Sequence, residues 1–493
     1  MVVAGAAALI LTPREEEPQI VVPLADVFVQ MPGASAEVVE QQVSNRLERI
    51  LYQIDGVEYV YSMSKPGMAV VTVRFHVGED REKSLVKLHN KIAMNIDQVP
   101  PGVTGWVIKP IEIDDVPLMM VTLWGKEPKT DDHALRRVAE QVEVALQSVE
   151  NTARTEIVGG RRRQIRVVLD PEQLSSRQVT ALEIERVLRG ANINVQAGAF
   201  RSGNREVQVE GGPFVQTAAE LEKLVVGVHD NKPVYLREIA HVTDGPEEPG
   251  TYTRLRFGPA AGGVEKNLDH PAVTVAVAKR KGSNAVWVAE ALEKKLTELR
   301  RTLLPDDVEV RITRNYGETA NEKVNELVNE LGLAIVIVAA LIMFSLGWRE
   351  ALVVITAVPL TFALTLLVNY LAGYSINRVT LFALILSLGL VVDDPIVDVE
   401  NVFRHFAMRK ETPLKAVLTA VNEVRPPIIV ATLVVIVSFL PMFFITGMMG
   451  PYMRPMALNV PIAMLMSMVI SFTVTPWMSY LVMRGQYGKA DPH

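Results

Sequence analysis

Residues 389–401 read GLVVDDPIVDVEN and lie within a long apolar part of the chain. This stretch holds four carboxylates, which are Asp393, Asp394, Asp398 and Glu400. An acidic side chain near the centre of a membrane-spanning helix costs about 2.5–3.5 kcal/mol on insertion scales. A merely structural role would not justify that cost, so we interpret the two deepest carboxylates, Asp393 and Asp394, as functional.

Helical geometry sorts the four carboxylates onto two neighbouring lines. At about 100° per residue, Asp393 and Glu400 fall on one line. Asp394 and Asp398 fall on the adjacent line. Asp398 and Glu400 are candidate auxiliary carboxylates, although Glu400 also fits an interfacial group that water reaches.

Pro395 adds a second feature to this helix. A proline has no N–H, so it cannot donate to the carbonyl of Val391 four residues earlier. The backbone ladder therefore opens beside Asp393 and Asp394. The freed carbonyl is a place for a water molecule, a cation or a proton donor.

Carboxyl groups in this position are suited to carry protons. A carboxyl whose water access and cationic partner change with conformation can load a proton on one side and release it on the other. Each proton that descends a potential of about 100 mV supplies roughly 2.3 kcal/mol. The predicted spanning segments contain no internal Lys or Arg, so this chain carries one half of such a relay.

Five segments after residue 330 reach the roughly 20 mostly apolar residues that cross about 30 Å of hydrocarbon. Prolines interrupt several of them, which spanning helices tolerate when neighbours satisfy the freed carbonyls. A large helical core is the alternative, and five such segments in one region argue against it. The predicted spans are Leu331–Gly347, Ala351–Ala372, Val379–Asn401, Pro426–Met448 and Met456–Met483.

Basic residues in the short connections indicate the orientation of the chain. One set of connections holds eight Lys and Arg residues, and the opposite set holds only Arg378 and Arg454. The richer set is expected in the cytoplasm together with the tail, residues 484–493. Residues 14–330 then lie in the periplasm or at the cell exterior. Residues 1–13 are apolar but too short to span, and we interpret them as the remnant of a first helix that precedes the bundle over 331–483.

Residues 14–330 alternate between strands and amphipathic helices. A Val- and Ile-rich strand precedes a helix over Ala36–Tyr52, and a hairpin then turns at Pro66-Gly67. A second helix follows over Arg81–Ile96, and a similar order of elements recurs later in the chain. The expected fold is therefore a membrane α-helical bundle with a large α+β region of the ferredoxin-like, split-βαβ type in more than one copy.

Composition removes several classes of function. The chain has 493 residues, a net charge of −6 and an acidic soluble part, which argues against nucleic-acid binding. It has no cysteine, which removes disulfides, thiolate zinc sites and cysteine nucleophiles. Its eight histidines are scattered, so we expect neither a metal site nor a cofactor.

An intramembrane aspartyl protease would also use two buried aspartates. Such a pair must face each other across a scissile bond from separate helices. Asp393 and Asp394 are sequential and point about 100° apart. We therefore expect a transporter and not an enzyme.

Residues 389–401 resemble the fourth transmembrane helix of the resistance–nodulation–division (RND) exporters, in the hydrophobe/amphiphile efflux branch. The family pattern of a glycine, apolar residues, Asp-Asp and a run to Glu-Asn stands here as Gly389–Val392, Asp393-Asp394 and Glu400-Asn401. The resemblance covers almost the whole chain and includes Met31–Ala34, Ala357–Pro359, Tyr374–Asn377, Leu440–Met442 and Val474–Pro476.

The resemblance implies the N-terminal half of a homotrimeric proton:substrate antiporter in the bacterial inner membrane, with periplasmic porter and docking subdomains. It implies an amphiphilic small-molecule substrate, a periplasmic adaptor protein and an outer-membrane channel. Asp393 and Asp394 match the protonated pair of the family. The relay lysine and arginine of the family belong to the second half, which carries helices seven to twelve.

The sequence departs from the efflux branch at several positions. Pro395 and Asp398 stand where the branch has small or apolar residues, and Asp398 either alters the number of protons or hydrogen-bonds a neighbouring helix. Two aromatic positions of the family's deep drug pocket align with Pro117 and Val158, and the loop Gln196–Glu206 is shorter than the family's intersubunit hairpin. The alternatives are a heavy-metal-exporting RND branch and a non-transporting sensor or scaffold of RND ancestry.

Overall fold

The computed structural model describes residues 2–18, 20–111, 115–126, 130–193, 195–211, 214–261, 268–345 and 347–487. Its N-terminal part is rich in strands, and its C-terminal part consists of long helices. The chain begins with a ten-residue apolar helix, α1 (Val2–Leu11). Residues 488–493 of the predicted cytoplasmic tail lie outside the described residues.

The first sheet has four antiparallel strands in the order β2-β3-β1-β4. Buried side chains alternate along the two central strands, β1 and β3, so one face of the sheet is buried against the helices: Val27 of β1 lies opposite Val71 of β3, and both are buried. The predicted hairpin is confirmed, because β2 and β3 flank Pro66-Gly67. The elements are β1 (Leu24–Gln30), α2 (Ala36–Val39), a π-helical turn (Glu40–Ser44), α3 (Asn45–Tyr52), β2 (Val57–Lys65), β3 (Met68–Phe75), α4 (Arg81–Met94) and β4 (Gly105–Ile111).

A second sheet begins with β5 (Met119–Gly125), α5 (Asp132–Gln147) and β6 (Thr152–Val158). Asp131 caps α5 by accepting a hydrogen bond from the N–H of Ala134 over 2.9 Å. After β6 the chain leaves this sheet for a long insertion, so the sheet is completed only later in the sequence.

The insertion contains three two-stranded antiparallel pairs, β7·β12, β8·β9 and β10·β11. A small separate core that includes Ile184, Leu236 and Ile239 holds most of it together. Its elements are β7 (Arg163–Leu169), α6 (Pro171–Ser176), α7 (Ala181–Ala191), β8 (Val195–Ser202), β9 (Arg205–Gly211), α8 (Ala218–Glu222), β10 (Val225–His229), β11 (Lys232–Tyr235) and β12 (Ala240–Pro246).

The chain returns to the second sheet with β13 (Arg254–Arg256), β14 (Asp269–Lys279), α9 (Ala285–Thr302) and β15 (Val308–Asn315). The central strands run in the order β14-β5-β15, and β6 and β13 pair with β14. Val121 of β5 lies opposite Val275 on one side and Ile312 on the other. The helices α5 and α9 cover this sheet with fully buried leucines such as Leu135 and Leu292.

In the part of the chain that the structure describes, five helices are long and apolar enough to cross a membrane. The first of these helices begins well before the predicted start at Leu331, because the polar but helix-forming residues that follow β15 already belong to it. The 330/331 boundary therefore marks a change in hydropathy and not the end of an element. The helices are α10 (Tyr316–Ser345), α11 (Trp348–Leu371), α12 (Arg378–Met408), α13 (Pro413–Phe439), which continues as a 3₁₀ turn (Leu440–Phe444), and α14 (Met449–Met483).

The short helix α1 packs against α11 in this bundle. A Cβ atom on Gly5 would overlap with Ala363, so glycine permits the two backbones to approach closely. Ala8, one turn later, is buried in the same core as Val358 and Phe362. Part of the predicted remnant segment is therefore a packed component of the helical region.

We expect Gly5→Leu to lower the free energy of unfolding in detergent by about 1–3 kcal/mol, because an added side chain overpacks the α1–α11 contact. Ala6→Leu is the matched control, since Ala6 is exposed. Equal stability of the two variants would contradict the close packing.

Candidate functional site

The helix α12 exposes one face along its length. Asp393 is the sixteenth of the 31 residues of α12, so it lies at the middle of the helix. Leucine, valine and phenylalanine surround it on the exposed face, which makes a carboxylate there unusual. The exposed residues recur every three or four positions: Phe382, Leu386, Gly389, Asp393, Val397, Glu400 and Arg404.

The adjacent face of α12 is buried and contains the other two carboxylates. Asp394 is 6% exposed and Asp398 is fully buried. The structure thus separates the carboxylates onto the two faces that helical spacing predicts, with Asp393 and Glu400 on the exposed one. Within the described chain no Lys or Arg forms an ion pair with any of the four.

The carbonyl that Pro395 frees has a partner on another helix. Pro395 lies inside α12 and leaves the carbonyl of Val391 without an N–H donor. The hydroxyl of Ser467 on α14 donates to this carbonyl over 2.9 Å, and both residues are fully buried. The partner of this carbonyl is therefore a hydroxyl donor, where the sequence alone left a water molecule, a cation or a proton donor as candidates.

The buried carboxyl group of Asp394 lies on α12 about one turn from this contact. Its Oδ2 atom is buried and has no hydrogen-bond partner among the described residues. A serine hydroxyl has one hydrogen and two acceptor lone pairs. The single hydrogen of Ser467 is donated to the Val391 carbonyl, so it does not satisfy Asp394.

Asp398 makes a parallel contact one turn further along both helices. The hydroxyl of Ser471 donates to Oδ2 of Asp398, and both side chains are fully buried. The other oxygen, Oδ1, has no hydrogen-bond partner among the described residues. Of the two alternatives for Asp398, the structure thus contains the hydrogen bond to a neighbouring helix.

Ser467 and Ser471 belong to a row of hydroxyl residues that sequence reasoning missed. Thr475 and Ser479 continue the row at four-residue spacing, and each of the four residues is at most 1% exposed. The spacing is visible in the sequence. Ser and Thr in helices commonly bond their own backbone, however, so the pattern alone does not indicate a site.

A cluster of hydrogen-bonded polar groups connects the last turns of α12 to α13. The carboxylate of Glu423 accepts from Arg404 over 2.8 Å and from His405 over 2.8 Å. Asn401 donates to the carbonyl of Ala420 on α13 over 2.7 Å. These contacts fix the end of the helix that carries the four carboxylates.

Pro117 and Val158 are not brought together by the structure. Val158 ends β6 and is 48% exposed, and it lies opposite Thr274 of β14. Thr274 in turn lies opposite Thr122, which is five residues from Pro117 along the chain. Two strand spacings, about 10 Å, therefore separate Val158 from Thr122, and Pro117 lies before the start of β5.

The hairpin β8–β9 is a second candidate surface. It turns at Gly203 and Asn204, both with positive φ, and Phe200, Val207 and Val209 are 54%, 41% and 42% exposed. The predicted loop Gln196–Glu206 lies within this hairpin.

The described residues contain no group of three or more His, Asp or Glu side chains that could hold a metal ion.

Comparison with known proteins gives a consistent family. The model of the AcrB/AcrD/AcrF family matches residues 1–491. The chain is 26% identical to the multidrug resistance protein MdtC of Salmonella typhi over 98% of its own length and 46% of that protein. It is 27% identical to MdtC of Cronobacter sakazakii, over 95% and 44% of the two lengths. The chain thus spans about half the length of the curated relatives that it matches.

We expect Ser467→Ala to cost about 1–3 kcal/mol of stability, because it leaves the buried carbonyl of Val391 without a donor. Pro395→Ala restores a backbone N–H that can reach the same carbonyl. In the Pro395→Ala background, Ser467→Ala should therefore cost less. Unfolding of the four forms in detergent measures the coupling, and additive costs would refute the shared carbonyl.

Proposed function

Because the chain belongs to the AcrB/AcrD/AcrF family of RND permeases, we propose that it forms the N-terminal half of a proton-driven exporter of amphiphilic molecules. The observation that carries this proposal is the placement of Asp393 and Asp394 at the middle of α12, one exposed and one buried against α14. Two neighbouring carboxyls in different surroundings beside an opened backbone ladder suit the uptake and release of protons.

The exposed position of Asp393 is the reason why the proposal requires a second half of the transporter. A carboxylate at membrane depth is costly against lipid, so a cationic or hydrogen-bonding partner is expected to cover it. No described residue of this chain supplies a cation there. We infer that helices seven to twelve of a second RND half pack on the exposed face of α12 and supply the cation.

The strand-rich region fits the capture of substrate outside the membrane. The charge bias of the connections supports a periplasmic position in the inner membrane for residues 14–330, with the tail 484–493 in the cytoplasm. The two sheets, each with β-α-β units and two covering helices, suit split-βαβ porter subdomains. The insertion β7–β12 suits a docking subdomain that meets a periplasmic adaptor protein and an outer-membrane channel.

The substrate class rests on the relatives, which are named multidrug resistance proteins. Pro117 and Val158 lie apart and are not aromatic, so we place no polyaromatic pocket on them. The heavy-metal branch and a non-transporting sensor or scaffold are the alternative functions. Loss of dye export on substitution of the aspartates would argue against the scaffold.

The hairpin β8–β9 supports a homotrimer. An isolated two-stranded hairpin is marginally stable in water, and this one exposes apolar side chains on both strands. A neighbouring copy of the chain would cover them and stabilise the hairpin.

We expect Asp393→Asn and Asp394→Asn each to reduce export of the cationic dye ethidium to background in cells that produce this chain with its second half. Asparagine keeps the shape of the side chain but cannot carry the proton. Glu322→Gln, which neutralises an exposed carboxylate on α10, is the control and should export normally. The amount of each protein in the membrane fraction is measured in parallel. Undiminished export by both aspartate variants would refute the proposed proton relay.

Replacement of residues 196–210 by a short glycine linker should lower the trimer fraction in detergent, because it removes the proposed intersubunit contact. Mass photometry of the purified transporter measures this fraction. Phe200→Ser should have the same effect in weaker form, and a fully trimeric deletion variant would refute the role of the hairpin.

A further inference from the structure

The buried row of hydroxyls on α14 continues beyond its two contacts with α12. Ser467 bonds the carbonyl of Val391 and Ser471 bonds Asp398, and Thr475 and Ser479 follow at the same spacing towards the end of the helix. Both pairs advance in the same direction along α12 and α14, so the two helices run parallel here. From Ser467 to Ser479 the row extends over about 18 Å of helix length.

The last two hydroxyls are not bonded as helix hydroxyls usually are. On α11 the hydroxyl of Thr361 donates to Ala357 and that of Thr365 donates to Thr361, four residues back in each case. The buried hydroxyl oxygens of Thr475 and Ser479 have no hydrogen-bond partner among the described residues. Two donors in an apolar interior are therefore left for an acceptor that the backbone does not provide.

A buried carboxylate lies at the end of the bundle towards which this row runs. The helix α11 begins where α14 ends, since a Cβ atom on Gly485 would lie 3.6 Å from Nη1 of Arg349. The next residue, Glu350, is 2% exposed, and neither of its carboxylate oxygens has a hydrogen-bond partner among the described residues.

Few charged groups surround Asp398. On α12 itself Asp394 lies one turn away, and Glu400, Arg404 and His405 lie towards the helix end. On α13 Glu423 and Arg425 lie at the same end, as does Glu350 on α11. Residues 331–345 of α10, 351–371 of α11, 426–439 of α13 and 457–479 of α14 contain no Asp, Glu, Lys, Arg or His. An ionised Asp398 would thus be a buried charge with one hydrogen bond and no counter-ion.

We propose that Asp398 and the hydroxyls of Ser471, Thr475 and Ser479 form a proton path from Asp394 to the end of the bundle at Glu350. This inference rests on the proposed proton-driven function and adds the route by which protons leave the aspartate pair. Under the proposed orientation the path opens to the cytoplasm.

Each transfer along the path balances once the hydroxyl of Ser471, which donates to Asp398 in this structure, has turned towards the next acceptor. The proton that leaves the carboxyl of Asp398 then binds a lone pair of the Ser471 oxygen as the original hydroxyl proton of Ser471 moves on. Successive groups of the path are about 6 Å apart along each helix, so one water molecule between each pair completes the chain, including the step from Asp394 to Asp398. Glu350 receives the proton at the end and returns it to bulk water.

The test follows the proton on Asp398 directly by infrared spectroscopy of the full chain in lipid nanodiscs. The carboxylic C=O band that disappears in Asp398→Asn identifies the group, and its shift after transfer to D₂O gives the rate of proton exchange. We expect Thr475→Val, which keeps the shape but removes the hydroxyl, to slow this exchange at least about tenfold. Thr475→Ser, which keeps the hydroxyl, should exchange at the original rate.

Thr473→Val is the matched control, because Thr473 is exposed and bonds its own helix at Val469. It should leave the exchange rate unchanged. Unchanged exchange in Thr475→Val, or slow exchange in Thr475→Ser as well, would overturn the path in favour of a packing role. The absence of any band for Asp398 would also overturn it. If Asp393→Asn and Asp394→Asn leave dye export intact, the proposed function fails independently of this result.

Discussion

A carboxyl group inside hydrocarbon must be hydrogen-bonded, paired with a cation or neutralised by a proton, and the helical region is arranged around this constraint. Pro395 opens the backbone of α12 where Asp393 and Asp394 lie. The hydroxyl of Ser467 on α14 donates to the carbonyl that is left free, and the hydroxyl of Ser471 donates to Asp398. These two polar contacts join α12 and α14 in the buried interior of the bundle.

The two faces of α12 differ in the polar partners that the chain supplies. On the buried face Ser467 and Ser471 each donate one hydrogen bond, while one oxygen of Asp394 and one of Asp398 have no hydrogen-bond partner among the described residues. The exposed face, with Asp393 at its centre, needs groups that the described residues do not provide. A change in the packing of α12 would alter the surroundings of Asp393 and Asp394 together, because adjacent residues of a rigid helix move as one.

The strand-rich region is connected to these helices without a flexible linker. The strand β15 ends at Asn315 and α10 begins at Tyr316. Gly317 of α10 sits so close to α9 that a Cβ atom would overlap with Ala289. A displacement of the second sheet therefore moves α10, which packs against α11 and α12. This continuity is a mechanical route between the proposed substrate domain and the proposed proton site.

Much of this architecture could be predicted from local pattern. Runs of apolar residues predicted the five long helices, and alternation predicted hairpins such as the one at Pro66-Gly67. The start of α10 at Tyr316 could not be predicted from hydropathy, because a helix can continue from a membrane into polar surroundings without a break. The four-residue spacing of the row from Ser467 to Ser479 is also visible in the sequence, but spacing does not indicate which group each hydroxyl contacts.

The periodicity of α12 can be read from its residues alone, and with it the division of its carboxylates into two lines and the missing donor at Pro395. These features follow from bonds within one helix. The packing of the helices, in contrast, sets which line is buried and places Ser467 and Ser471 against it. The hydrogen bond between Asp398 and Ser471, 73 positions away, depends on how two helices pack. That packing is a property of the whole bundle and of no single segment.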